Sequence, residues 1–320
     1  MKVLVMGGTR FLGVTLTKNL VAQGHEVVLF NRGHQPAPIE GVRVIIGDRT
    51  DPQQIKEKLI NQDFDAIFDN NGRELSDTKP LIDLYRERIR HFVYMSSAGI
   101  YLESDTLPYF EVDEVDPNSR HKGKLHTEAY LNEAYDAHGF PYTSIRPTYI
   151  YGPQNYNDIE AWFFDRIVRD RPIPIPGNGQ FITQLGHVED LVAAMTAVLG
   201  KKKAIGEIYN VSDVRYVTFA GLAKSCAIAA GRSPDSIKIV NYEPKNLTEI
   251  FASAKQKAFP FRLQHFFTAV DKAMTDLDWE PELDLPEGLE TSFSQDYMRS
   301  GRHQAEIDFS IDDRILAAIG

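Results

Sequence analysis

A glycine-rich turn, Gly7-Gly8-Thr9-Arg10-Phe11-Leu12-Gly13, stands directly between a short apolar run, Val3 to Met6, and a helical pattern, Phe11 to Gln23. Strand, tight turn and helix in immediate succession form the opening of a βαβ unit. The turn amides and the positive end of the helix then make a seat for a pyrophosphate. Gly7 permits the tight turn and Gly13 permits close packing of helix on strand. The middle glycine of a Gly-x-x-Gly-x-x-Gly spacing is Arg10 instead, whose guanidinium either meets a phosphate or fills a disused cleft.

The same alternation continues downstream. Val27 to Phe30, Val42 to Ile46, Ala66 to Asp69, Phe92 to Ser96 and Tyr142 to Arg146 read as buried strands, and Pro52 to Asn61, Ser76 to Arg88 and Glu128 to His138 as helices between them. This order predicts an α/β fold, a doubly wound parallel sheet with its ligand at the carboxyl ends of the strands. After Tyr151-Gly152-Pro153 the pattern loosens, and Pro172, Pro174 and Pro176 break any helix beyond Arg169. A smaller mixed C-terminal lobe is expected there, with helices at Val188 to Leu199, Thr218 to Ala230 and Val270 to Leu277 and a strand at Glu207 to Val211. The expected division is 1–150 and 151–320, partly interleaved.

With 42% hydrophobic and 25% charged residues over 320 positions, the chain can bury a full core in one large or two modest domains. No apolar run is long enough to span a bilayer, and a strand beginning at Lys2 leaves no room for a leader, so the expected product acts where it is made, in the cytoplasm and not at a membrane, or a longer precursor has been trimmed. Cys226, the single cysteine, falls in an apolar helical pattern and reads as a buried, inert thiol. A net charge of −10 argues against a broad nucleic-acid footprint but leaves room for a local basic patch. Lys201 to Lys203 read as a solvated helix cap, and Glu111, Asp113, Glu114 and Asp116 as a solvated acidic loop. No zinc spacing of Cys and His occurs, and no metal ligands are assigned.

Two segments speak to chemistry. At the end of the second strand stand Asn31 and Arg32, where an acidic residue would take the ribose hydroxyls of NAD; the arginine favours NADP. Asp48, ending the third strand, either meets the adenine or serves as a loop carboxylate. The segment Ser119-Arg120-His121-Lys122-Gly123-Lys124-Leu125-His126-Thr127-Glu128 frames Lys124 as in a dehydrogenase, but four residues before it, where the acid/base tyrosine should stand, is Arg120. A guanidinium does not release its proton at any pH a protein survives, so Arg120 relays no proton. His121 suits acid/base work, yet on a continuous helix it points about 100° away from position 120. Tyr149 and Tyr151 lie near the expected cleft and read as packing or substrate contacts.

These residues resemble the extended short-chain dehydrogenase/reductase superfamily, the NAD(P)-dependent epimerases and dehydratases on a Rossmann fold. Met95-Ser96-Ser97-Ala98-Gly99-Ile100-Tyr101 resembles the family's serine segment, with Ser97 in the catalytic register, and Lys124 with Glu128 resembles its Lys-x-x-x-Glu. Arg146-Pro147, Tyr151-Gly152-Pro153, Gly186 to Asp190, Trp279 with Pro281, and Glu287-Gly288-Leu289 follow the family pattern in order. Arg10, Arg120 and the run Lys257-Ala258-Phe259-Pro260-Phe261-Arg262 are similar to the chloroplast stem-loop-binding proteins and their cyanobacterial relatives.

The resemblance implies binding of structured RNA, association with ribosomal complexes, and magnesium-dependent endoribonuclease activity. It also implies a cleft for NADP or NAD and pairing of subunits through Ser76 to Arg88 and Lys122 to His138. On this expectation Arg120, His121, Lys122 and Lys124 face RNA phosphates together with Arg166, Arg169 and Arg171, and His121 or His126 acts on a ribose 2′-hydroxyl. The alternatives are nucleotide-sugar epimerase, dehydratase or reductase turnover, and a non-catalytic NADP-binding scaffold.

Overall fold

The computed structural model describes residues 1–252 and 258–319, so Lys257 of the run noted above lies outside the described residues. The chain divides into two units. The first comprises Met1–Thr148, Val188–Ser212 and Thr268–Pro281; the second comprises Tyr149–His187, Asp213–Phe267 and Glu282–Gly320.

The first unit is a seven-stranded parallel sheet. Its strands are β1 (Lys2–Met6), β2 (Glu26–Asn31), β3 (Arg43–Ile46), β4 (Ala66–Asp69), β5 (His91–Met95), β6 (Tyr142–Pro147) and a last strand, Glu207–Val211. Across the sheet they run from Glu207–Val211 through β6, β5, β4, β1 and β2 to β3. The order reverses between β1 and β4, and a doubly wound sheet opens its ligand crevice at such a switch point, outside the carboxyl ends of the strands. The strands read clearly in sequence because a sheet covered on both faces needs continuous apolar runs.

Helices α1 (Leu12–Ala22), α2 (Pro52–Leu59), α3 (Leu75–Tyr85) and α4 (Lys122–His138) complete the crossovers. Leu4, Met6, Val28 and Phe30 pack with Ile55 and Leu59 of α2, Leu81 and Ile82 of α3, and Leu131 of α4 in one buried cluster. α1 packs with the helix Val188–Ala197. Asp51 caps α2, accepting from the amides of Gln53 and Gln54. Gly139, at φ 65°, closes α4. Lys202 and Lys203 are exposed, while the amines of Lys201 and Lys203 reach the Leu277 and Thr275 carbonyls, at the end of the helix Asp271–Leu277.

In the second unit an aromatic core gathers Trp162, Phe163, Phe164, Phe219, Phe259, Phe261 and Tyr297. The proline-rich stretch is a strand, Ile173–Pro176, paired in parallel with Ile239–Tyr242. Prolines cannot extend a helix, but on a two-stranded edge their missing amides cost no ladder bond. Cys226 is fully buried, and burial raises its thiol pKa.

Glu160 is buried and accepts hydrogen bonds from the Gly152 amide and Asn155 Nδ2, both at 3.0 Å. Burial pushes its carboxyl up to about 7 from an ordinary 4.5. The folded protein therefore holds this proton more tightly than the unfolded chain does. The resulting stability is fully present below pH 4.5 and is lost as pH rises through about 7. Glu160→Gln is expected to remove about 3 kcal/mol of this pH dependence. Thermal unfolding at pH 5 and pH 8 checks it; an unchanged difference between the two conditions refutes the assignment.

Candidate functional site

The turn after β1 is built for close approach. Gly7 and Gly8 hold φ of 99° and 88°, where residues with a side chain are strained. A Cβ on Gly7 would meet Asn71 Nδ2 at 3.1 Å and Asn70 Oδ1 at 3.2 Å, and one on Gly13 would stand 2.8 Å from the Gly8 backbone. Thr17 Oγ1 donates to the Gly13 carbonyl at 2.7 Å and reaches the Gly8 carbonyl at 3.2 Å, tying helix to turn. Phe11, at φ 41°, is a non-glycine residue in the left-handed range, held there with its ring buried. Thr9 is half-buried and Arg10 exposed, while Leu12 is buried as the first residue of α1.

Asn31 ends β2 with its Oδ1 accepting from the Gly33 amide at 2.8 Å and its Nδ2 directed to the Gly7 carbonyl at 3.4 Å. Arg32 beside it is exposed. Asp48 accepts from the Thr50 amide and hydroxyl at 2.9 and 2.8 Å; these bonds, with Arg32 nearby, hold its carboxyl below the usual range. Its side chain is thus spent on the loop that follows β3.

Sequence reasoning missed the next pair. Arg49 clasps Asp69 with Nη1 to Oδ1 at 2.5 Å and Nη2 to Oδ2 at 2.8 Å. Asp69 is fully buried at the end of β4 and also accepts from Thr78 Oγ1 at 2.6 Å and the Gly72 amide at 3.1 Å. Burial pushes its pKa up, but Arg49 outweighs it and keeps the carboxylate charged. Arg49 also bonds Asn71 Oδ1, whose residue borders Gly7, so the pair anchors the rim of the glycine turn. The only sequence signal was an aspartate closing an otherwise apolar strand.

Lys124 lies on the first turn of α4. Its Nζ donates to the Met95 carbonyl and, at 3.2 Å, to that of Gly72, and lies 5.4 Å from the Tyr94 ring centroid. Burial lowers its pKa to about 8. The amine thus bridges the ends of β4 and β5. Glu128 turns inward to Arg146 and Ser144.

α4 starts six residues earlier than its periodicity suggested, with His121 at its N-cap. Arg120 is therefore outside the helix, and the 100° separation expected between positions 120 and 121 does not apply. Arg120 is exposed, and its Nε donates to His121 Nε2 at 3.0 Å. The imidazole lies against Gly99: a Cβ there would meet His121 Cδ2 at 2.7 Å, His121 Nε2 at 3.0 Å and Ser97 Oγ at 3.1 Å. Ser97 Oγ accepts from the Gly99 amide at 3.0 Å. Lys122 and His126 are exposed.

Three arginines expected on the same surface are committed elsewhere, within the second unit. Arg166 is buried against Asp312 and over the Trp162 ring, and Arg171 pairs with Asp313. Arg169 bonds the carbonyls of Arg302, His303 and Ala305. They hold the C-terminal segment, which single-sequence charge counting does not reveal. Tyr149 accepts from the Arg262 amide at 2.9 Å and packs against Phe261, and Tyr151 is buried against Gly288. In the acidic loop Glu111 accepts from the Asn210 amide at 2.8 Å, and Asp113 and Asp116 accept from the amides of Phe110 and Asn118.

Residues 3–212 match the model of the NAD dependent epimerase/dehydratase family. The chain belongs to that family. Within it, the chain is 48% identical to the chloroplast stem-loop binding protein of 41 kDa b of Arabidopsis thaliana, over 99% of this chain and 84% of the relative.

Solved structures share the fold. A UDP-glucose 4-epimerase from Thermotoga maritima, with UDP-glucose, superposes with a TM-score of 0.77 at 21% identity, covering 94% of this chain and 100% of that one. A dTDP-glucose 4,6-dehydratase from Bacillus anthracis in complex with NAD gives 0.76 at 18% identity, over 94% and 98%. No helix among the described residues is long and apolar enough to cross a membrane.

Proposed function

We propose that this epimerase/dehydratase-family chain binds structured RNA along the carboxyl edge of its parallel sheet, over a cleft that also holds NADP. The observation that carries the reading is a row of exposed arginines. Arg10 follows β1, Arg32 follows β2, Arg73 follows β4 and Arg120 precedes α4, in a chain whose net charge is −10. Guanidinium groups on one edge of an otherwise acidic protein match a polyphosphate backbone. The name of the 48% identical Arabidopsis relative supports the same partner. Arg120 at the tyrosine position disfavours sugar-epimerase turnover.

The donor set fits a dinucleotide. The turn at Gly7, Gly8 and Gly13 packs tightly at the start of α1, the setting in which backbone amides take a pyrophosphate, and Arg32 suits a 2′-phosphate. Bound NADP would supply a nicotinamide; the residues the chain would offer beside Gly99 are Ser97, Arg120 and His121, with no phenol at position 120. Among the described residues no group of three or more His, Cys, Asp or Glu could hold a metal ion, and the proposal gives magnesium no ligands. The Arabidopsis relative is named as chloroplastic.

Arg32→Gln with Arg120→Gln is expected to weaken stem-loop RNA binding about 10–100-fold and to lower the slope of log affinity against log salt by about 2. Anisotropy of a labelled stem-loop at several salt concentrations reads both, with Lys224→Gln in the second unit as control. NADPH should compete with the RNA. Unchanged affinity and slope in the double variant overturn the surface.

A further inference from the structure

We propose that Asn71 is a ligand-binding residue of the dinucleotide cleft: Arg49 turns its side-chain amide so that Nδ2 donates to a pyrophosphate at the glycine turn. The inference rests on the reading that this cleft holds NADP and deepens it. β1 and β4 are parallel neighbours with Met6 opposite Asp69, so Gly7 and the segment Asn70-Asn71-Gly72 leave the sheet side by side at the switch point. The segment is closed on itself, since the Gly72 amide donates to Asp69 Oδ1 at 3.1 Å.

The orientation of the amide follows from Arg49. Its Nη1 and Nη2 hold the two carboxylate oxygens of Asp69, and Nη2 also donates to the Asp77 carbonyl at 2.9 Å. The guanidinium fixed in this way meets Asn71 Oδ1 through Nη1. A guanidinium only donates, so the atom it touches is the amide oxygen, and the NH2 group of Asn71 is turned away from it. That group borders the glycine turn: Nδ2 lies 3.1 Å from where a Cβ of Gly7 would stand, and Gly7 has no side chain to occupy the space. Asn71 is exposed, and Nδ2 donates to no acceptor among the described residues. An oriented, unspent donor beside the amides that open α1 matches an anion, and in a dinucleotide the anion at such a turn is the pyrophosphate.

The test compares full-length wild type, Asn71→Ala and Asn71→Asp. NADPH is titrated by fluorescence, adenosine 2′-phosphate, which has no pyrophosphate, by calorimetry, and thermal unfolding is followed without ligand. Asn71→Ala is expected to weaken NADPH binding about 10-fold, as for one hydrogen bond to a charged group. Asn71→Asp keeps the shape of the side chain and gives Arg49 a carboxylate partner, so it should melt no lower than wild type. It nevertheless turns an oxygen toward the phosphates in place of a donor, and should weaken NADPH binding at least about 100-fold. Affinity for adenosine 2′-phosphate should change far less than affinity for NADPH in both variants.

Wild-type NADPH affinity in Asn71→Asp, tighter binding by Asn71→Ala, or equal losses for the two ligands each overturns the assignment. So does a fall in the melting temperature of Asn71→Asp in step with its lost affinity, which makes the residue structural. Absence of NADPH binding by wild type appears in the first titration alone. It removes the NADP reading together with the inference built on it.

Discussion

Glu128→Ala is expected to lower the stability of the sheet-bearing unit by about 3–5 kcal/mol, because it leaves a guanidinium buried with no counter-charge. Glu128 and Arg146 expose only 2% and 5% of their side chains. Arg146 Nη2 donates to Glu128 Oε2 at 2.7 Å and its Nε lies between both carboxylate oxygens at 3.1 and 3.2 Å. Ser144 Oγ donates to Oε1 at 2.7 Å. The far side of the guanidinium donates to the Tyr101 hydroxyl and the Glu111 carbonyl, both at 3.0 Å, and stacks 5.1 Å over the Tyr101 ring. A carboxylate on α4 and an arginine on β6 thus fix where the helix carrying Lys124 meets the sheet.

Removing one partner should cost more than removing both. A Glu128→Met, Arg146→Met double variant is expected to be more stable than Glu128→Ala, since neither charge remains to be desolvated. Denaturant titration of the three proteins gives the comparison. A loss under about 1 kcal/mol for Glu128→Ala contradicts the buried pair.

Gly13→Ala is expected to reduce NADPH affinity by at least about 100-fold, an order of magnitude set by misplacing a phosphate-binding turn by about 1 Å. A methyl group at this position meets Gly8 Cα and N at 2.8 Å, and both atoms are backbone, so no side-chain rotation relieves the clash. α1 must move off the turn, and the Thr17 hydroxyl then loses its bridge between the Gly8 and Gly13 carbonyls. The cost to stability is expected to be about 1–3 kcal/mol, as for overpacking elsewhere. Quenching of NADPH fluorescence reads the affinity and far-ultraviolet circular dichroism confirms that the fold persists. A variant that binds NADPH as wild type does would move the dinucleotide away from this turn.

The difference between these sites and those that escaped the sequence is one of range. Gly7 to Gly13 act within a single turn, so residue identity and spacing carry the chemistry. β1, β2, β4, β5 and β6 are legible for a similar reason, since a doubly covered parallel strand is an unbroken apolar run. The family resemblance placed Lys124 and Glu128 on one helix, where periodicity began only at Glu128, and the structure puts one at the strand ends and the other under Arg146.

Long-range pairing is where reading the residues ran out. Arg49 and Asp69 are twenty residues apart and meet only because β3 and β4 bring their ends to one edge of the sheet. Arg166 and Arg171 look like solvated cations until a segment more than 140 residues later supplies Asp312 and Asp313. The prolines of Ile173–Pro176 exclude a helix, but only their partner strand makes the segment a sheet edge.

The sequence alone therefore determined the class of fold, the dinucleotide-type turn and the inability of position 120 to relay a proton. These follow from local backbone geometry, period and residue chemistry. Only the tertiary structure decided which charges are spent on the protein's own carboxylates, where α4 begins, and that His121 lies against Gly99 beside Ser97. Such outcomes depend on contacts between distant segments, whose free energy is settled by packing and desolvation once the chain has closed.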